Sequence, residues 1–212
     1  MTTTFPVGWV LRASTIGFAV GCRVPPREIK PDTSVPNFGD LVKVLLPDGM
    51  IVFGVIYDVQ VRDDPVVRQL ILAGDIEEEI TKDQRENRLV PVEIGVLAVG
   101  YQRAKEIVQG LPPQPPISLD SLILCNNTDI QTFTNANSNS NNAKFKFDYL
   151  RLILNAPQIP TDELVVANLL RVAAAYPTET RRQFLLDAGR ELARLLSFDL
   201  VRLDGILRRI KP

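Results

Sequence analysis

From residue 16 to residue 24, apolar side chains at Ile16, Phe18, Val20, Cys22 and Val24 alternate with Gly17, Ala19, Gly21 and Arg23, the period of two that marks a strand. Small residues on the second face permit another backbone to approach closely, or the bend that a barrel wall needs. The same period returns after Pro47-Asp48-Gly49. Proline presets φ, aspartate can bond its own backbone two residues on and glycine tolerates positive φ, so the tripeptide predicts a tight turn. A strand over residues 41–46 enters that turn and a longer one, ending at residue 61, leaves it. In the longer strand Ile51, Phe53, Val55, Tyr57, Val59 and Val61 share the face assigned to the core, with Asp58, Gln60 and Arg62 opposite. Residues 90–101, VPVEIGVLAVGY, are too continuously apolar and β-branched for an exposed edge. They predict a central strand, with bulges or bends at Gly95 and Gly100. A last strand is predicted over residues 119–125.

Between the strands the pattern changes. Residues 25–36 are proline-rich and read as a loop. Asp64 before Pro65 has the form of a helix N-cap, and Val66, Val67, Leu70 and Ile71 follow at helical spacing. Residues 75–87 are polar, and Glu77-Glu78-Glu79 reads as a solvated face, because neighbours on a helix do not converge on one cation. Pro112 and Pro115 have the spacing of a polyproline ligand, but the stretch reads better as a stiff connector between strands.

Beyond Cys125 the composition shifts to Asn, Ser and Thr, and residues 126–147 are expected to be a linker or a long-looped hairpin, with Phe145, Phe147 and Tyr149 alternating against Lys144, Lys146 and Asp148. Helices follow. Thr161 is read as an N-cap with Asp162 and Glu163 behind it, and Pro177 ends that helix. Thr178 opens the next, whose stripe of Phe184, Leu185, Ala188, Leu192, Leu195 and Leu196 opposes a charged face. A short one carries Leu200, Leu203, Leu207 and Ile210, and a fourth covers residues 149–154.

The expected fold class is therefore α+β: a small closed β-barrel over residues 1–125 with a helical insertion near 64–87, then residues 126–147, then an α-helical domain, a small bundle, over 148–212. With 212 residues, 45% hydrophobic and 23% charged, the chain can bury two modest cores. No apolar run is long enough for a bilayer and the first residues lack a secretory pattern, so no membrane association and a cytoplasmic address are expected. The two cysteines, Cys22 and Cys125, are far apart and read as buried hydrophobes. Histidine is absent, which removes the commonest general base and zinc ligand.

The order and character of these strands, in GWVLRASTIGFAVG, NFGDLVKVLLPDGMIVFGVIYDV, the strand at 90–101 and LPPQPPISLDSLIL, resemble the HAS-barrel, the N-terminal barrel of HerA-type ATPases and ATP synthase ring subunits. The resemblance covers residues 5–125 and brings no catalytic residue with it. It implies a role in ring assembly and partner docking. In HerA-like proteins a RecA-like motor follows the barrel, whereas this sequence holds no GxxxxGK[ST], so no nucleotide binding and no cofactor are expected.

The leading expectation is thus a non-catalytic interaction or assembly module, self-associating or bound to a protein partner, as an accessory to a HerA-like ATPase or a DNA-processing complex. The alternative is nucleic-acid binding. Residues 126–212 carry 12 Lys and Arg against 9 Asp and Glu, and Arg181, Arg182, Arg190, Arg194, Arg208 and Arg209, with Arg202 and Lys211, could form a phosphate-tracking patch. Interspersed Asp187, Glu191, Asp199 and Asp204 favour a salt-bridged surface instead. For an enzyme, Asp40 or Asp58 could serve as acid and Cys22 or Cys125 as nucleophile, but no base, oxyanion donor set or metal constellation accompanies them.

Overall fold

The structure is a computed structural model that describes residues 6–24, 36–62, 65–74, 90–135 and 145–211. Its strands are β1 (Gly8–Ala13), β2 (Gly17–Val24), β3 (Leu41–Leu45), β4 (Ile51–Val61), β5 (Val90–Arg103), β6 (Glu106–Val108) and β7 (Ser121–Leu124). Six of them close a ring in the order β2-β1-β7-β3-β4-β5, sealed by β2 pairing with β5 from Gly17↔Leu97 to Val24↔Val90. Every pairing is antiparallel, and β6 hangs on β5 as a hairpin. Closure removes the edges that an open sheet of this length would expose.

The predicted hairpin turn forms as its residues require. Gly49 sits at φ +84°, the Met50 N–H donates to Asp48 Oδ1 at 3.0 Å, and the Leu46 N–H donates to the Met50 carbonyl at 2.8 Å. The tube is filled by valine: Val10, Val20, Val42, Val44, Val52 and Val96 are all 0–1% exposed and pack with Phe18, Ile56, Ile94 and Leu122.

The first part of the β4 face read as core from sequence is buried, but outside the tube. Phe53 and Val55 point away from the tube and lie under helices, while Val52 and Ile56 point in. Both faces of this strand are buried, so alternation alone could not say which one lines the tube. Tyr57 is then an extra residue between the pairs Ile56↔Val96 and Asp58↔Gly95. That bulge reverses the phase, so Val59 packs towards the interior; Val61, on the same face but at the end of the strand, is exposed. Gly95 lies opposite the bulge, where a Cβ would stand 2.7 Å from the Tyr57 ring.

The helices are α1 (Pro65–Ala73), α2 (Asn127–Thr134), α3 (Leu150–Leu154), α4 (Thr161–Ala174), α5 (Thr178–Leu195) and α6 (Leu200–Leu207). The loop at 25–35, the Asp64 cap and the polar stretch at 75–87 fall outside the described residues. In the segment read as a linker or long-looped hairpin, α2 occupies the first part, and Asn135 and Phe145 then pair antiparallel on either side of residues outside the described ones. Asn126 Oδ1 accepts the Asp129 N–H at 2.9 Å and Asp129 Oδ2 accepts the Asn126 N–H at 3.0 Å, a reciprocal cap on a segment otherwise poor in helix formers. Thr161 is the first helical residue of α4, Pro160 taking the cap position. Ser121, not Leu119, begins β7, because Leu119 turns through φ +75°.

Helices α2 to α6 and the outside of β3, β4 and β5 bury one continuous core. Phe133 of α2 bridges them, with its ring 4.9 Å from Phe53 and 5.5 Å from Tyr149. A polar latch crosses the same boundary: the Tyr149 hydroxyl donates to Asn168 Oδ1 at 2.9 Å, and Asn168 Nδ2 donates to the Gly39 carbonyl at 3.0 Å. Gly39 has φ +87°, and a Cβ there would stand 2.7 Å from Ala167 Cβ, so only glycine lets α4 come this close.

Candidate functional site

Among the described residues, α2 to α6 pack on the β3–β4–β5 side of the barrel and not on β1 and β2. On β1 the inward Val10 is 1% exposed, whereas its outward neighbours Trp9 and Leu11 are 49% and 51% exposed. The approach to β7 runs beside them: the Leu119 N–H donates to the Val10 carbonyl at 2.9 Å and the Ser118 hydroxyl to the Leu11 carbonyl at 3.1 Å. Ile117 and Leu119 there are 62% and 79% exposed. Gly21 continues the patch, with Leu11 lying over it 3.2 Å from where a Cβ would stand.

Charges border this apolar wall on one side. Register carries Trp9 to Gly21 and Gly21 to Glu93. Glu93 accepts from Arg12 at 2.7 Å and from Arg62 through both Nε and Nη2. Partial burial works against the charge on Glu93, but the hydrogen bonds and charges of Arg62 and Arg12 prevail and hold its carboxyl below the ordinary glutamate range.

Of the residues considered for chemistry, Asp40 and Cys125 border one 230 Å³ pocket with Arg171, while Cys22 points into the filled tube and Asp58 takes a hydrogen bond from Gln60. Asp40 accepts from the Asn37 N–H and from Arg171 Nη1, each at 2.7 Å. Burial nevertheless outweighs these partners and raises its carboxyl above the usual range. The Cys125 thiol is pushed well up by burial, and by the charges of Asp129 and Asp40, against a smaller opposing effect of Lys43. Burial raises Cys22 as well. Both sulfurs are therefore protonated at neutral pH, a state that suppresses nucleophilic attack.

No family model matches the chain, and no curated protein matches it significantly in sequence.

The basic side chains named from sequence divide into two groups. Arg190 pairs with Asp187 at 2.6 Å, Arg194 with Glu191 at 2.5 Å and Arg208 with Asp204 at 2.7 Å, all within one helical turn or its end. Arg209 clasps Glu163 through both terminal nitrogens, and Arg202 reaches Asp162 and the Thr161 hydroxyl. Arg181 donates to the carbonyls of Ala173 and Ala174 at 3.1 and 3.4 Å, closing the end of α4. Arg182 and Lys211 make no ion pair with any described residue, and both line a 460 Å³ groove between α4 and α5.

The exposed wall was not read from sequence, although GWVLR held the signal: Trp9 and Leu11 are as apolar as Val10 between them, so the strand needs cover on both faces. Pro112 and Pro116 are buried, which fits the stiff-connector reading of that stretch.

Proposed function

We propose that the chain is a non-catalytic assembly module, a HAS-type barrel carrying a helical bundle on one wall, that docks a protein partner or a second copy through the other wall. The observation that carries this reading is the clustering of Trp9, Leu11, Ile117 and Leu119, at 46–79% exposure together with Leu111, on β1 and the approach to β7. Contiguous apolar side chains with a charged border match the anatomy of protein interfaces, in which aromatic anchors sit centrally and polar groups lie at the rim. The strand-order resemblance to the HAS-barrel makes a HerA-type ATPase ring the first partner to test.

The chain has a single tryptophan, and it stands on this wall, so its emission reports docking directly. Sedimentation velocity and Trp9 emission are measured from micromolar to hundreds of micromolar protein, alone and with a HerA-type hexamer. Docking predicts a larger species together with a blue shift, both abolished by Leu11→Ser with Leu119→Ser. A monomer whose emission stays solvent-exposed in both series refutes the reading.

A further inference from the structure

The groove between α4 and α5 has an apolar floor and a cationic rim. Leu170, 42% exposed, and the buried Ala173 and Leu185 form the floor. Arg182 and Lys211 stand on the rim without ion-pair partners among the described residues, Arg181 adds a third positive charge, and Glu179 is the single acid lining the groove. Its 460 Å³ holds a few side chains, not a folded domain.

We propose that this groove binds an acidic amphipathic segment of a protein partner, with leucine-sized side chains on Leu170 and carboxylates on Arg182 and Lys211. Charge complementarity selects this occupant. A nucleic-acid backbone presents about one charge per 1.7 Å of duplex and is held by some six to ten phosphate contacts, which two free cations cannot supply. The neighbouring arginines do not add to them, because Arg190, Arg194, Arg208 and Arg209 are already neutralised by carboxylates. An apolar floor gives a phosphate ladder nothing, whereas an amphipathic helix lays apolar side chains into such a groove and sets charge at its rim. The inference rests on the interaction-module reading but uses a surface separate from the Trp9 wall.

The test uses the full chain and a fluorescein-labelled 16-residue peptide with leucines at helical spacing and glutamates elsewhere, read by anisotropy. Expected are saturable binding that weakens at least about fivefold between 50 and 500 mM salt, a loss of at least about tenfold in R182E/K211E, and loss of binding in Leu170→Ser. All three positions are exposed, and circular dichroism checks that each variant is folded. R182E/K211E should in turn bind the lysine counterpart of the peptide. Binding unchanged in Leu11→Ser separates the groove from the barrel wall, so failure of one leaves the other standing. The proposal is overturned if a glutamate peptide without leucine binds equally well, if a 16-base-pair duplex binds more tightly than the peptide, or if the peptide does not bind.

Discussion

Gly54 lies inside the barrel on β4, and a Cβ there would fall under 3.0 Å from Val96 Cγ1 and 3.5 Å from Phe18 Cζ. Val96 is completely buried, so its methyl has no free space into which to move. Gly54→Ala should gain about 0.5–1 kcal/mol from the restricted unfolded chain and lose about 1–3 kcal/mol to overpacking, for a net loss of roughly 1–2 kcal/mol. Val96→Ala alone removes two buried methyl groups and should cost about 2–3 kcal/mol. In the double variant the new methyl occupies part of the space that Val96 vacates. Gly54→Ala should therefore turn neutral or stabilising on the Val96→Ala background, a coupling of at least about 1 kcal/mol. Gly17→Ala is the control, since its Cβ would crowd the Val96 carbonyl oxygen, which Val96→Ala leaves in place. That pair should be additive within about 0.5 kcal/mol. Urea unfolding measures all of these, 1 kcal/mol moving the midpoint by roughly 0.5 M. If Gly54→Ala costs the same in both backgrounds, or nothing in the wild type, the tube is not packed as described.

Asn168→Ala strands the Gly39 carbonyl and the Tyr149 hydroxyl in the core between barrel and helices, and should cost about 1–3 kcal/mol by the same urea assay. Glu93→Gln tests the network beside the wall. Because the folded carboxyl lies below its unfolded value near 4.5, its contribution is fully present above that pH and is lost as pH falls through the folded value. Wild type should exceed Glu93→Gln by about 1 kcal/mol at pH 7, with the two converging as pH falls through the folded value. The thiols provide the last test: Cys22 and Cys125, both raised by burial, should react with Ellman's reagent at pH 8 more than about tenfold slower than in denaturant. A fast-reacting thiol in the native protein would contradict that burial.

What was legible in the sequence was local. Pro47-Asp48-Gly49 carries its own turn chemistry, and the i,i+3 pairs Asp187–Arg190 and Glu191–Arg194 follow from helical spacing alone. The missing parts needed the third dimension. The contacts Glu163–Arg209 and Asp162–Arg202 join α4 to the end of the chain, and nothing in their spacing announces them. On β4 the choice between Val52/Ile56 and Phe53/Val55 as lining depended on where the helices settle, whereas the bulge at Tyr57 was marked only from across the sheet, by Gly95 on β5. Asn126 and Asp129 did mark the start of α2, but a search guided by apolar periodicity passes over a helix with two apolar side chains, Ile130 and Phe133.

A barrel this small has an asymmetry to resolve. Its interior is closed by its own valines, so each outward apolar side chain needs cover from elsewhere or remains in water. For Phe53, Val55, Leu97 and Val99 the helices provide it. For Trp9 and Leu11 they do not, although replacing either by a polar residue would leave the inward packing of Val10 untouched. Trp9 therefore leaves about half of its surface in water. Glu93, clasped between Arg12 and Arg62, keeps the adjacent charges fixed instead of free to sweep over the patch. If the wall docks a partner as proposed, a border whose charges are already paired on one side of the patch loses less conformational entropy on binding than free side chains would.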